Sequence, residues 1–219
     1  MDGKNYLASG SDDHSIKIWD LQDFHLVSTL LRHTLDVKAL IAFYDEESKE
    51  PYLASGSQDK TIKIWCLKDN KLIKTLHEDA GYVETLTMYT SDDQHRFLIS
   101  GDSNGIVKFW NMDHSDTEFA CTQSFKAHQG TVHGLEIIRV AGKLCLVTAG
   151  LFNSLKVWNL EGTPYPMRDF NSHFSIFDFK VISKMNKDST FKPCLVSGDD
   201  SGKLKLWMEE DDHHGCQIM

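Results

Sequence analysis

Residues 53–65 read LASGSQDKTIKIW, and similar phrases recur along the chain. The other four phrases are LASGSDDHSIKIW (7–19), LISGDSNGIVKFW (98–110), VTAGLFNSLKVW (147–158) and LVSGDDSGKLKLW (195–207). They end at the only tryptophans of the chain, Trp19, Trp65, Trp110, Trp158 and Trp207, which follow one another at intervals of about 45 to 49 residues. Five related phrases at one period predict a repeat architecture, in which each repeat is one supersecondary unit.

Each phrase predicts two antiparallel strands joined by a tight turn. An apolar run ends in Ser55-Gly56 or its counterpart, and a turn rich in Asp, Asn, Gly and Ser follows. The second strand alternates, as in residues 62–65, with lysine outward and aliphatic side chains inward. A variable strand follows each tryptophan, and an apolar strand such as 37–43 precedes the next phrase. Four antiparallel strands in each period predict a propeller blade.

The phrases resemble WD repeats, the β-transducin-like propellers, over about residues 6 to 208. The Trp-Asp pair itself occurs only at Trp19-Asp20, and the Gly-His pair of that family is nowhere literal. Its histidine position is held by His33, His128 and His173, each four residues before an apolar strand position, whereas Asp79 stands there in the third repeat. The resemblance implies an all-β propeller of four-stranded blades.

The number of strands predicts an incomplete ring of about five blades. The first phrase begins almost at Met1, so the first blade is expected to lack its innermost strand. The last phrase ends at Trp207, so the last blade is expected to lack its outermost strand. Three explanations remain open: a piece of a longer protein, a five-bladed structure, and closure of the ring with another chain. We expect one propeller domain over 1–208 and an acidic flexible tail over 209–219.

The resemblance implies a structural tetrad in the second repeat, made of His33, Ser55, Asp59 and Trp65. In it the indole N–H would donate to the serine hydroxyl, the serine to the histidine ring, and the histidine to the aspartate. The same residue types form hydrolase triads. Their fixed places in a repeat favour the structural interpretation, because a buried chain of this kind satisfies its own polar groups.

The other repeats keep parts of this tetrad. The retained members are Ser9, Asp13 and Trp19 in the first repeat, Ser100 and Trp110 in the third, His128 and Trp158 in the fourth, and His173, Ser197 and Trp207 in the fifth. In the fourth repeat Ala149 is expected at the serine position, with a turn one residue shorter, and Ser201 takes the aspartate place in the fifth. Because the same tetrad is kept to different extents in successive repeats, we interpret it as structural and predict no catalytic residues. We therefore expect a chain that is not an enzyme.

Composition restricts the kinds of partner. The net charge is −9, with 32 acidic and 23 basic residues. Nucleic-acid binding requires cations that displace counterions from phosphates, so this composition disfavours it. Neither a phosphate-binding loop nor a dinucleotide-binding motif is present in the sequence, and no cofactor or metal is expected. Five cysteines without a C-x-x-C spacing predict reduced thiols, and hence a cytoplasmic or nuclear location.

The resemblance implies that partners dock on the face built from the turns inside the phrases and the segments after the histidines. The residues expected on this protein-binding face are Asp12, Leu35, Gln58, Tyr82, Ser103, Phe152, Phe174 and Asp200. We therefore predict a non-catalytic scaffold for proteins or peptides, with a preference for basic ones. The alternatives are a substrate receptor in a ubiquitin ligase or trafficking complex and, from another class, a propeller-hosted hydrolase.

The last four residues, Cys216 to Met219, fit the C-a-a-X pattern that directs prenylation of the cysteine. The acidic run 209–212 before them does not suit a membrane surface, which usually attracts a basic second signal. Membrane association is predicted only if Cys216 is prenylated.

Overall fold

A computed structural model describes residues 5–45, 47–78, 81–113, 119–140, 142–151, 154–162, 164–171, 176–185, 191–199 and 204–207. Over these residues it contains strands β1 to β18 and no helix. The prediction of an all-β fold built from four-stranded propeller blades is confirmed, because the described residues form five antiparallel sheets, of which three have four strands and the first and last have three described strands each.

The strands follow chain order within each sheet, so every connection joins neighbours. The first sheet contains β1 (Tyr6–Gly10), β2 (Ser15–Asp20) and β3 (Leu26–Leu31). The second contains β4 (Val37–Asp45), β5 (Glu50–Ser57), β6 (Thr61–Cys66) and β7 (Lys71–His77). The third contains β8 (Val83–Thr90), β9 (Arg96–Asp102), β10 (Ile106–Asn111) and β11 (Cys121–Lys126). The fourth contains β12 (Val132–Val140), β13 (Lys143–Gly150), β14 (Ser154–Asn159) and β15 (Tyr165–Asn171), and the fifth β16 (Ile176–Met185), β17 (Phe191–Asp199) and β18 (Leu204–Trp207).

Short-range polar contacts form the turn inside the second phrase. Asp59 accepts hydrogen bonds from the Thr61 amide at 3.0 Å and from the Thr61 hydroxyl at 2.6 Å. Lys60, at the turn apex, has a positive φ of 65°. This turn sets the register in which Leu53 pairs with Trp65. The carboxylate therefore supplies hydrogen bonds that the tight turn cannot make along its backbone.

The core lies between neighbouring sheets. Ile16, Ile18 and Leu30 of the first sheet share one buried cluster with Leu53 and Trp65 of the second. Equivalent residues form clusters across the next two boundaries. Burying one such aliphatic side chain stabilises the fold by about 1.5–3 kcal/mol, so the stacking of blades dominates the stability.

The glycines of the Ser-Gly pairs permit this stacking. A Cβ on Gly10 or Gly101 would lie 2.8 or 2.7 Å from Cγ1 of Val37 or Val132, the first residue of the next sheet's innermost strand. At these two positions a side chain would overlap the next blade, so glycine is required there.

Candidate functional site

The second repeat brings its four predicted residues into one buried chain of hydrogen bonds. Trp65 Nε1 donates to Ser55 Oγ at 2.9 Å, and Ser55 Oγ lies 2.7 Å from His33 Nε2. His33 Nδ1 lies 2.8 Å from Asp59 Oδ2. This network fits a neutral histidine that donates through Nδ1 and accepts the serine proton at Nε2.

The electrostatics of this chain also fit a neutral imidazole. Burial lowers the pKa of His33, and the contact with Asp59 opposes that effect only in part. Burial works against ionisation of Asp59, but hydrogen bonds from Thr61, His33 and the Thr34 amide outweigh it and lower the pKa of that carboxyl. Ser55 is completely buried, and its oxygen is already engaged by the indole. A hydrolase would need that oxygen exposed to its substrate.

The first repeat has only part of this arrangement. Trp19 Nε1 donates to Ser9 Oγ at 3.0 Å. Asp13 is not joined to Ser9 but accepts two hydrogen bonds from Ser15, which lower the pKa of its carboxyl. The tryptophan–serine contact thus persists where no histidine precedes the phrase.

In the third repeat the prediction of Asp79 at the histidine place is wrong. Asp79 lies outside the described residues, and Glu78 makes the contact: its Oε1 accepts the Ser100 hydroxyl at 2.5 Å, while Trp110 Nε1 donates to Ser100 Oγ at 3.0 Å. Glu78 Oε2 forms a buried ion pair with Lys108 Nζ at 2.9 Å. This repeat has one more residue before the innermost strand, so counting back four positions selects the wrong one.

In the fourth repeat the prediction of Ala149 at the serine position is also wrong. Thr148 Oγ1 accepts the Trp158 indole N–H at 2.9 Å and lies 2.7 Å from His128 Nε2. Thr148 pairs with Lys156 across the hairpin as Ser55 pairs with Lys63, so the turn is not shortened and Ala149 replaces the glycine. Burial, with a smaller effect from the Lys156 charge, lowers the pKa of His128 to about 4.

The fifth repeat is described only in part. Ser197 is fully buried, and β17 pairs with β18 in the same register, with Leu195 opposite Trp207. The predicted residues His173 and Ser201 lie outside the described residues, as does the side chain of Trp207.

The predicted protein-binding face lies at the ends of the strands that the phrase turns connect. Five predicted residues are described, namely Asp12, Gln58 and Ser103 in phrase turns and Leu35 and Tyr82 before the innermost strands. Leu35 and Tyr82 are each 43% exposed. Neighbouring loops are tied together, because the Ser103 amide donates to the Tyr82 carbonyl at 2.9 Å. Phe152, Phe174 and Asp200 lie outside the described residues, as does Cys216.

Sequence reasoning missed three residues on this face. In three innermost strands, β4, β8 and β12, the register shifts directly after the first valine, which leaves Lys38, Glu84 and His133 at equivalent bulges. A bulge redirects a side chain away from the regular alternation. The available signal was a polar residue immediately after the first valine of β4, β8 and β12.

The charges around the first two bulges form a small group, which we call the acidic patch: Asp12, Asp36, Lys38 and Glu84. Lys38 Nζ lies 3.0 Å from Asp12 Oδ1 and 2.9 Å from Asp36 Oδ2. Burial raises the pKa of Glu84, while nearby Lys38 lowers it and Asp36 raises it further. One ammonium faces three carboxyl groups, so the patch is negatively charged.

Comparison with known proteins identifies the repeats. The model of the WD domain, G-beta repeat matches residues 2–20, 24–66 and 70–111, which are the first three repeats. The chain belongs to the WD-repeat family. WD repeats indicate a protein-interaction scaffold, which is the general function the prediction named.

The similar proteins are much longer than this WD-repeat chain. Human apoptotic protease-activating factor 1 is 27% identical over 211 residues, which are 92% of this chain and 14% of that protein. A bromodomain and WD repeat-containing protein of Dictyostelium discoideum is 30% identical over 133 residues, 60% of this chain and 6% of that protein. A p21-activated protein kinase-interacting protein 1-like protein of Xenopus laevis is 40% identical over 63 residues, 29% of this chain and 16% of that protein.

Among the described residues, one group of side chains has the spacing of metal ligands. Ligand atoms of Asp20, Asp23 and His25 lie within 4.8 Å of one another in the turn after β2. Asp20 accepts the Gln22 amide at 2.7 Å, and His25 contacts Asp23 directly. These contacts account for the cluster as a turn stabilised by its own side chains.

The described part of the chain contains no helix long and apolar enough to cross a membrane.

A cavity of about 180 Å³ lies between the second and third sheets, on the face opposite the phrase turns. Its walls include Phe43, Tyr52 and Phe119. The Asp45 and Arg96 side chains in its lining form an ion pair at 2.8 Å. The described lining is thus apolar apart from Asp45 and Arg96, which neutralise each other. Such a lining does not favour a catalytic centre.

Proposed function

We propose that this WD-repeat chain is a non-catalytic scaffold whose phrase-turn face binds a basic segment of a partner protein. The observation that carries the proposal is the acidic patch, in which Lys38 lies close to the carboxylates of Asp12 and Asp36 and near Glu84, beside the first residues of β4 and β8. An ammonium or guanidinium group from a partner would complement this charge through hydrogen bonds to carboxylates.

Glu84 is the central recognition residue in this proposal. The carboxyl is half-buried, and burial favours its neutral form. The described residues place no hydrogen-bonding or ion-pairing group on it. A partner cation would stabilise the charged form of Glu84, so binding would gain from a group that is poorly compensated in the free protein.

Two exposed side chains beside the patch would add apolar contact. Tyr82 and Leu35 are each 43% exposed, on the segments that lead into β8 and β4. Lys60 Nζ lies over the Tyr82 ring, 5.9 Å from its centre, so a cation of the protein itself already contacts this ring. Aromatic residues are frequent anchors in protein interfaces.

The buried serine–histidine sets favour a scaffold over a hydrolase. Equivalent tryptophan–serine or tryptophan–threonine contacts occur in each of the first four repeats, with the Trp Nε1 to oxygen distance at 2.9–3.0 Å. A catalytic centre would be a single accessible constellation. A substrate-receptor role in a ubiquitin ligase or trafficking complex would use the same binding face.

The test is peptide selection on the intact chain. We expect an array of 15-residue peptides to yield binders enriched in Lys and Arg, with affinities that fall as salt screens the patch. Glu84→Gln should weaken the selected peptide about tenfold, which corresponds to about 1.4 kcal/mol.

The matched control is Glu161→Gln, because Glu161 is an exposed carboxylate on the opposite face, 3.3 Å from Lys143 Nζ. It should leave binding unchanged. Selection of neutral or acidic peptides, or equal binding by Glu84→Gln and the unmodified chain, would overturn the proposal.

A further inference from the structure

The cavity between the second and third sheets lies where the following boundary is filled by a side chain. Ile64 lines this cavity of about 180 Å³. Phe109 takes the place of Ile64 in the third repeat, since each lies directly before the tryptophan that ends its phrase. Phe109 is 1% exposed, and its ring centre lies 6.2 Å from that of Tyr89. A phenyl ring thus fills the boundary between the third and fourth sheets, whereas the smaller Ile64 leaves room for a ring here.

The cavity also contains a cation whose counterpart in the next sheet is aliphatic. Arg96 of the third sheet lines the cavity, and Leu144 stands at the same register in the fourth sheet. Each lies two positions before the leucine that pairs with the tryptophan of its phrase. The cavity therefore combines apolar space with a guanidinium group.

Most donors of this guanidinium remain for a ligand. Arg96 Nη2 donates to Asp45 Oδ1 at 2.8 Å and to the Met112 carbonyl at 3.3 Å. Among the described residues these are the only hydrogen bonds of the Arg96 side chain, and a guanidinium has five N–H donors. Asp45 balances the charge of Arg96 and would repel a second carboxylate. A neutral oxygen is therefore the acceptor that suits Arg96.

The apolar walls suit one aromatic ring. Phe43 and Tyr52 of the second sheet stack with their ring centres 5.5 Å apart, and Phe119, which precedes β11, also lines the cavity. Aromatic rings pack well at centre distances of about 4.5–7 Å, and an apolar cavity of about 150 Å³ is large enough to bind benzene. Ile73 of the outermost strand β7 lines the cavity and is 43% exposed, so the cavity reaches the surface.

We propose that this cavity binds the side chain of a tyrosine presented by a partner protein. The phenol ring packs between the walls, and its hydroxyl oxygen accepts a hydrogen bond from Arg96. A protein side chain is the occupant because the exposed Ile73 at the rim offers an apolar surface to the residues beside the tyrosine. The cavity lies on the face opposite the acidic patch, so this contact is separate from the binding of a basic segment.

Saturation-transfer NMR on the intact chain tests the cavity with p-cresol, which is the tyrosine side chain alone. We expect a dissociation constant of about 1 mM, which is within reach of a ligand of this size. Toluene, which lacks the hydroxyl, should bind about tenfold more weakly because it cannot accept from Arg96.

Two substitutions of Ile64 form a matched pair. Ile64→Phe should abolish p-cresol binding, because it places the ring used at the next boundary in the cavity. Ile64→Val keeps the space open and should leave binding unchanged. Far-UV circular dichroism establishes that each variant is folded. If Ile64→Phe unfolds, Arg96→Leu combined with Asp45→Asn replaces it, and this variant should bind p-cresol no better than toluene.

Peptide selection tests the partner. Fifteen-residue peptides selected on the Glu84→Gln chain, in which the acidic patch is weakened, should contain tyrosine, and replacing that tyrosine by phenylalanine should weaken binding about tenfold. The proposal is overturned if p-cresol does not bind, if it binds no better than toluene, or if it binds equally to the folded Ile64→Phe chain. Binding of p-cresol together with selected peptides that lack tyrosine would overturn the assignment to a protein partner and leave a site for a free phenol.

Discussion

Ser55→Ala should destabilise the protein far more than Ser9→Ala, although both remove the hydroxyl that accepts a tryptophan indole. Ser55 Oγ accepts from Trp65 Nε1 at 2.9 Å and lies 2.7 Å from His33 Nε2, in a fully buried position. The substitution leaves one buried donor and one buried acceptor without partners. Each costs about 1–3 kcal/mol, so we expect a loss of about 2–6 kcal/mol.

The control substitution, Ser9→Ala, removes a similar hydrogen bond at a position that is more exposed to solvent. Ser9 Oγ accepts from Trp19 Nε1 at 3.0 Å, but no histidine joins it and both residues are partly exposed. Water can replace the lost acceptor there, so Ser9→Ala should cost less than about 1 kcal/mol.

Urea unfolding, followed by tryptophan fluorescence and far-UV circular dichroism, measures the difference. The free energies of unfolding are compared from the midpoints at a common dependence on denaturant. Equal losses for the two variants, or a loss below about 1 kcal/mol for Ser55→Ala, would refute the idea that the buried network stabilises the second blade.

Three further substitutions or conditions test neighbouring parts of the structure. Gly150→Ala should cost about 1–3 kcal/mol because the added Cβ overlaps the His128 ring, whereas Gly142→Ala, with nothing within 4 Å, should cost only its positive-φ strain; thermal unfolding compares them. Lys108→Met should cost about 3–5 kcal/mol by leaving Glu78 buried without its cation, and adding Glu78→Leu should recover much of that loss in chemical denaturation. Because the folded protein holds the pKa of His128 at about 4, below the ordinary 6.5, unfolding binds a proton between these pH values. Stability should therefore fall by up to about 3 kcal/mol as pH drops from 7 to 4, and unfolding curves for His128→Gln should show a smaller fall.

The local sequence determined the blades. Each phrase carries its own strand pattern and turn chemistry, so the hairpin that pairs Leu53 with Trp65 follows from a few consecutive residues. The count of strands in each sheet followed from the same pattern. The four side chains of the second-repeat tetrad were also identified correctly as neighbours, because every position of the repeat pattern is present there.

Contacts between segments that are distant in sequence decided which other residues form the hydrogen-bonded sets and the acidic patch. The positions of Thr148 and Glu78 depend on hairpin register and loop length. Counting along the sequence therefore selected their neighbours, Ala149 and Asp79, in their place. The acidic patch depends on bulges that place Lys38 and Glu84 together from two different blades. A single repeat could not reveal these arrangements, because they arise only when one blade packs on another.

The sequence by itself determined that the chain folds into repeated four-stranded units with a tryptophan at the end of each phrase. Only the tertiary structure decided which of the identical residue types are buried, as Leu7 and Leu53 illustrate with 51% and 1% exposure. The physical reason is that strand pairing is set by the alternation within a phrase, whereas burial of a sheet face depends on whether another sheet lies against it.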